Sequence, residues 1–221
     1  MAGRGYRMRK RAEGFDATRE RIVEATAALH AEQGVAATSY VQIAERAGVG
    51  PATVYRHFPT LGSLVEACGA SIWEAIRPPL PENAPAVFAG LETRQQRIER
   101  LVAELDAFYG RSAARLGIAA RDRDRVPELE TFLRQVDAGI AALVREAMGS
   151  GPSEAAIRLV TAVADVSVWR SLTRLEVPPA ELRHTMVRLL TCATAVAGPE
   201  SDGSRTSWPP VPAGDKRLGL P

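Results

Sequence analysis

The sequence predicts an all-α fold, and three observations carry that prediction. Apolar residues recur at steps of three and four along most of the chain, no run alternates apolar and polar residues with period two, and prolines bound the periodic segments. The expected organisation is a flexible basic arm at 1–15, a three-helix helix-turn-helix head at 16–59, a longer helical body at 60–197 and a disordered tail at 198–221. That makes about nine helices in all.

Residues 1–15 mix Gly, Arg and Lys without apolar period, which reads as a solvated arm able to lie against phosphates. From Asp16, a capping residue, Ile22, Ala25, Thr26 and Leu29 line one face of a first helix, and Gly34 suits the position just past its end. Thr38 or Ser39 can cap a second helix that reaches about Ala47. A third runs from Pro51 to about Phe58, where Pro59 stops it. Thr60 can cap a fourth, whose inward residues are Leu64, Val65, Cys68, Ile72 and Ile76 and which ends at Pro78 and Pro79. The Pro-rich segment 78–89 is expected to be irregular.

Ile98, Leu101, Leu105 and Phe108 mark a fifth helix, and residues 111–120 a short sixth before the run RDRDR at 121–125, expected as a solvated turn. Leu129, Leu133, Val136, Ile140 and Leu143 define a seventh. The eighth carries Ile157, Val160, Ala164, Val168, Leu172 and Leu175 as one stripe, and the ninth carries Leu182, Met186, Leu189, Ala193 and Val196. Such stripes need a packing partner, within the subunit or on a second copy. The last 24 residues hold five prolines, four glycines and three serines, too little apolar content for a core.

The densest local information lies in QIAERAGVGPATVYRHF, residues 42–58. Ala44 is small where two helices must nearly touch, Gly48 lies four residues on where the chain must turn, and Val54 follows as a buried anchor; this spacing describes a helix-turn-helix. Pro51 at the first helical position gives up only an amide that would be unpaired there. With Val54 and Phe58 on the inner face of the third helix, Tyr55, Arg56 and His57 are left for the outside. A helix of this kind fits the major groove of duplex DNA. Thr53 can hydrogen-bond a base or phosphate, Pro51 and Ala52 can meet a thymine methyl, and Tyr55, Arg56 and His57 extend the hydrogen-bonding capacity.

Composition is consistent with a binding role that depends on local charge. The 221 residues are 46% hydrophobic and 24% charged with a net charge of +2, so nucleic-acid affinity must come from clustering. Nine basic against six acidic residues fall within 1–60, which puts the basic excess with the motif. Cys68 and Cys192 sit in helical apolar patterns as small hydrophobes and indicate no disulfide framework. No apolar run approaches the roughly 20 residues that span a bilayer, and the basic N-terminus has no apolar run behind it, so a cytoplasmic protein is expected.

The stretch AERAGVGPATVYRHFPT resembles the DNA-binding head of the TetR family of transcriptional regulators, over Arg21 to Ala67, and the nine-helix layout is similar to the family's over most of the rest. The resemblance implies a ligand-responsive regulator, typically a repressor, that binds double-stranded DNA at a palindromic operator and is released by a small-molecule inducer. It implies a homodimer through the last two long helices and no cofactor. It assigns DNA contacts to Pro51, Ala52, Thr53, Tyr55 and His57, and to Ser39 and Val41 around the second helix. Two positions depart from the pattern. Leu61 stands where many members have a lysine that meets a phosphate, and Gly50 where a capping serine is common.

Other readings of the residues remain open. The helical head could merely scaffold a small-molecule carrier or an enzyme, although the sequence offers neither a Gly-rich phosphate loop nor a Ser, His and Asp constellation, and a non-enzymatic protein is expected. His30, His57 and His184 lie on three separate helices with no metal-ligand spacing. Trp73, Phe88, Phe108, Tyr109, Phe132 and Trp169 can be core or can line a cavity.

Overall fold

The computed structural model describes residues 3–196, with side chains for 12–195, and every regular element among them is helical. In chain order these are α1 (Gly3–Gln33), α2 (Tyr40–Ala47), α3 (Pro51–His57), α4 (Leu61–Ile76), α5 (Ala84–Val87), α6 (Arg94–Asp122), α7 (Glu128–Met148), α8 (Glu154–Val163), α9 (Val166–Arg174) and α10 (Pro179–Val196). A 3-10 turn at Pro81–Asn83 precedes α5, so the Pro-rich segment is partly ordered into short helical turns. The expected tail at 198–221 and the side chain of Val196 lie outside the described residues.

The first helix starts at Gly3, well before the expected Asp16, so from Gly3 onward the residues read as an arm are continuous with α1. Arg, Lys, Met, Glu and Ala favour helix by intrinsic propensity, and these residues carry no apolar period that would announce a helix in the sequence. Farther along α1 the expected face is present. Ile22, Ala25 and Leu29 pack with Ile43, Ala44 and Ala47 of α2, Val54 of α3 and Phe58 into the core of the head.

The fourth helix serves two cores. Leu64 and Cys68 close the head, whereas Val65 and Ile76 face a larger cluster built by α6, α7, α8 and α10. Both ends of α4 are pinned. At its start Thr60 Oγ1 accepts from Ser63 N–H at 3.1 Å in a reciprocal capping box. At its end Arg111 of α6 donates to the Ile76 and Arg77 carbonyls at 2.7 and 3.1 Å.

Three expectations about the body need correction. The fifth and sixth helices are one, α6, because Ser112, Ala113 and Ala119 continue its buried face with side chains too small to announce a stripe. The eighth is two. Its apolar stripe runs across a break at Ala164, where Asp165 caps α9 by accepting from Ser167 N–H at 2.7 Å. The Ala164 carbonyl, outside both ladders, accepts from the buried Tyr109 hydroxyl at 2.7 Å. Finally, the run at 121–125 is not simply solvated: Asp122 is only 3% exposed. Its carboxylate accepts from Ala36 N–H at 3.1 Å and from Arg121 at 2.9 Å, while Arg121 reaches the Gln33 carbonyl at 3.3 Å. This tie joins the end of α6 to the α1–α2 turn. The Arg121 guanidinium holds the Asp122 carboxyl below its ordinary range.

On α10 the inward seam is Leu182, Met186, Leu190 and Ala193, all buried against the body. Leu189, expected in that stripe, is 39% exposed, and Cys192 is exposed rather than apolar core. Among the described residues no helix is long and apolar enough to cross a membrane.

Two outcomes follow for stability. A Cβ at buried Gly139 would lie 1.9 Å from the Pro79 carbonyl oxygen, a backbone atom that cannot swing away. Gly139→Ala should therefore cost about 1–3 kcal/mol in chemical denaturation, and an unchanged midpoint would refute the contact. Asp122→Asn should lower the melting temperature by a few degrees at neutral pH. Because the folded carboxyl titrates below its unfolded value, its contribution is complete above about pH 4 and is lost as pH falls through the depressed value. The gap between wild type and variant should close on acidification; a gap that widens would contradict the tie.

Candidate nucleic-acid interface

The turn between α2 and α3 is built by single-residue requirements. Gly48 sits at φ 64° and ψ 40°, a left-handed conformation that costs glycine nothing. Its N–H donates to Glu45 O at 3.2 Å and Val49 N–H donates to Ala44 O at 3.0 Å, the paired bonds of a Schellman stop. Two residues later Gly50 enters α3 with no side-chain cap, and Pro51 supplies the fixed φ of the first helical position. Ala44 is 1% exposed and Val54 fully buried, so the two helices cross at the small residue and lock on the valine.

This frame exposes one face of α3. Pro51, Ala52, Tyr55 and Arg56 are exposed, and Thr53 is half-buried near the start of the helix. Arg56 forms no ion pair among the described residues, whereas Arg46 on α2 is committed to a two-pronged pair with Glu32 at 2.8 and 2.7 Å. Tyr55 does not stand alone. Its ring stacks on Tyr40 at 4.4 Å, and the Tyr40 hydroxyl donates to the Phe58 carbonyl at 3.0 Å. The beginning of α2 and the middle of α3 thus form one continuous surface that includes exposed Val41.

Two expected site residues are placed differently from the rest. Ser39 is the N-cap of α2: its Oγ accepts from Gln42 N–H at 3.3 Å and also donates to Gln42 Oε1 at 2.9 Å, so its hydroxyl is already engaged. His57, expected on the outside, is half-buried and turned toward α1, its ring stacked on Phe15 at 4.0 Å. Its Nδ1 is buried without a partner. Burial, followed by the nearby Arg56 and Arg19 charges, lowers its pKa, so near pH 7 it presents a neutral imidazole.

Spacing alone missed the supports of this face. Tyr40, Phe15 and Arg19, whose guanidinium lies 5.0 Å from the centre of the Phe58 ring, come from α1 and the start of α2. Leu61 is 40% exposed in the first turn of α4 and brings no charge there. Among the described residues no group of three His, Cys, Asp or Glu side chains is arranged to hold a metal ion.

Residues 22–68 match the family model described as bacterial regulatory proteins, tetR family. No curated protein matches the sequence. Among solved structures, a tetR-family transcriptional regulator from Streptomyces coelicolor is 19% identical with a TM-score of 0.56, covering 82% of each chain. The multidrug binding protein EbrR, complexed with imidazole, is 20% identical with a TM-score of 0.54, covering 79% of this chain and 88% of that one. A transcriptional regulator from Rhodococcus sp. Rha1 is 20% identical with a TM-score of 0.53, covering 81% and 97%. At these identities the structures establish a shared fold, while the head is matched by sequence. Residues 22–68 thus match the head of the tetR family by sequence, and the chain shares its helical fold with tetR-family transcriptional regulators.

Proposed function

We propose that this chain represses transcription by binding a palindromic operator as a homodimer, with α3 of each copy in the major groove, and that a small molecule bound in the body releases it. The observation that carries the reading is the exposed face of α3. Pro51, Ala52, Tyr55 and Arg56 stand together on a short helix whose entry and crossing are fixed by Gly48, Pro51 and Val54. Thr53 is the hydrogen-bonding partner at the helix start. Ser39 and Val41 flank the face, Ser39 through its position more than its occupied hydroxyl. His57 acts at the edge of the groove, where the neutral ring can exchange one hydrogen bond but attracts no phosphate.

Dimerisation is supported by apolar side chains left outside the subunit core. Leu159 of α8, Leu175 after α9 and Leu189 of α10 are 40%, 75% and 39% exposed. A second copy packed on these helices would cover them and present two recognition helices to one face of the duplex. Release then needs no contact between ligand and DNA. An inducer that prefers a subunit arrangement with the two α3 helices no longer about one helical turn apart lowers operator affinity by that preference. The role is binding, not catalysis, and the protein works where the DNA is, in the cytoplasm.

Tyr55→Ala should weaken operator binding about tenfold or more while leaving the melting temperature within a few degrees of wild type; unchanged affinity in an anisotropy titration would remove Tyr55 from the interface. Leu61→Lys should strengthen binding and steepen the dependence of log affinity on log salt by about 1, as one added phosphate contact requires. An unaltered slope would show that α4 does not approach the backbone.

A further inference from the structure

Phe15 lies on α1 about two turns before Ile22, the first residue of that helix to enter the core of the head. It is 46% exposed and belongs to neither core cluster, yet its ring stacks on His57, the last residue of α3, with centroids 4.0 Å apart at 30°. One turn later on the same helix face, Arg19 holds its guanidinium 5.0 Å from the centre of the Phe58 ring, beside the same end of α3. An exposed aromatic and a cation of α1 therefore close over the last turn of the helix that carries the candidate interface.

The stack decides which edge of the imidazole is available. Among the described residues His57 Nδ1 is the single buried side-chain nitrogen or oxygen without a hydrogen-bond partner, while Nε2 has no partner either but is not enclosed. Free of the stack, a ring at the end of a short helix is able to swing outward and hydrate both nitrogens, so the contact with Phe15 offsets the loss of water at Nδ1. Burial, Arg56 and Arg19 keep the ring neutral near pH 7, so it carries one proton. An N–H on the buried nitrogen would lack an acceptor and lie in the field of two guanidinium charges, whereas a lone pair there is attracted by them. The proton is thereby left to Nε2, and His57 offers the outside one donor and no acceptor.

We infer that Phe15 is a positioning residue for duplex binding: its stack holds His57 with Nε2–H outward, where it donates to a hydrogen-bond acceptor of the DNA, a base-edge atom or a phosphate oxygen. A ring that only donates discriminates by polarity. Purine N7, guanine O6, thymine O4 and phosphate oxygens satisfy it, and the amino groups of adenine and cytosine do not. Phe15 itself makes no DNA contact in this arrangement and acts through the imidazole. The inference rests on the operator-binding reading, within which it names the source and the polarity of one contact.

Two measurements on the full chain at pH 8 test it. In the free protein, long-range hydrogen–nitrogen correlation spectra, with His57 assigned by its loss in His57→Ala, should show the Nε2–H tautomer in the wild type and in Phe15→Tyr, and a shift toward the mixed tautomers of a solvated ring in Phe15→Leu. On a duplex that the wild type selects from a random pool, Phe15→Leu and His57→Ala should each weaken binding about fivefold. Phe15→Tyr should keep wild-type affinity, and the Phe15→Leu, His57→Ala double variant should lose no more than His57→Ala alone. A loss confined to the selected duplex supports a base-edge acceptor, and an equal loss on an unrelated duplex supports a phosphate. A predominant Nδ1–H tautomer, additive losses in the double variant, or wild-type affinity in either single variant would overturn the inference and leave operator recognition standing. A wild type that selects no duplex would overturn the operator reading, and this contact with it.

Discussion

The arrangement of this molecule depends on a single helix that must satisfy two cores at once. Leu64 and Cys68 of α4 complete the head, while Val65 and Ile76 are buried in the body, so α4 cannot shift without disturbing one of the two clusters. Close packing makes such a helix a rigid connector, because interiors at crystal-like density have little free volume to absorb a displacement. Its ends are restrained by different parts of the chain, the Thr60–Ser63 box on one side and Arg111 of α6 on the other. The Asp122 tie to the α1–α2 turn adds a second, polar link across the same seam. These contacts connect α4, α6 and α7 with α1 and, through it, with the helices of the head.

The helix-turn-helix was legible in the sequence because each of its requirements falls on one residue. Gly48 is needed for a left-handed turn, Pro51 for entry, Ala44 for close approach and Val54 for the anchor, and these demands are local in the chain. The body was legible where large apolar residues repeat, as in Leu133, Val136, Ile140 and Leu143 of α7, all buried. It was misread where packing is carried by small or polar groups. Ser112 and Ala113 continue α6 without a visible stripe, and the break before α9 is marked by Asp165 beneath an apolar pattern that runs straight across it. The start of α1 was missed because its residues carry helix propensity but no apolar period in the sequence.

The candidate interface shows the same division. The exposure of Tyr55 and Arg56 follows from helical spacing around Val54, but the orientation of His57 depends on Phe15, a residue more than a motif away in sequence. Likewise the brace that Tyr40 gives Tyr55 comes from α2 meeting α3 in space. Side chains that act across long stretches of chain are invisible until the fold brings them together. Their chemistry is nonetheless ordinary: stacking and a half-buried imidazole.

DNA recognition by a two-fold pair of α3 helices is the central claim, and selection of bound sequences from a random pool of duplexes tests it most directly. The full chain at modest salt should enrich a two-fold symmetric sequence with half-sites about one helical turn apart. Failure to enrich any sequence, or enrichment of a site without two-fold symmetry, would contradict the account.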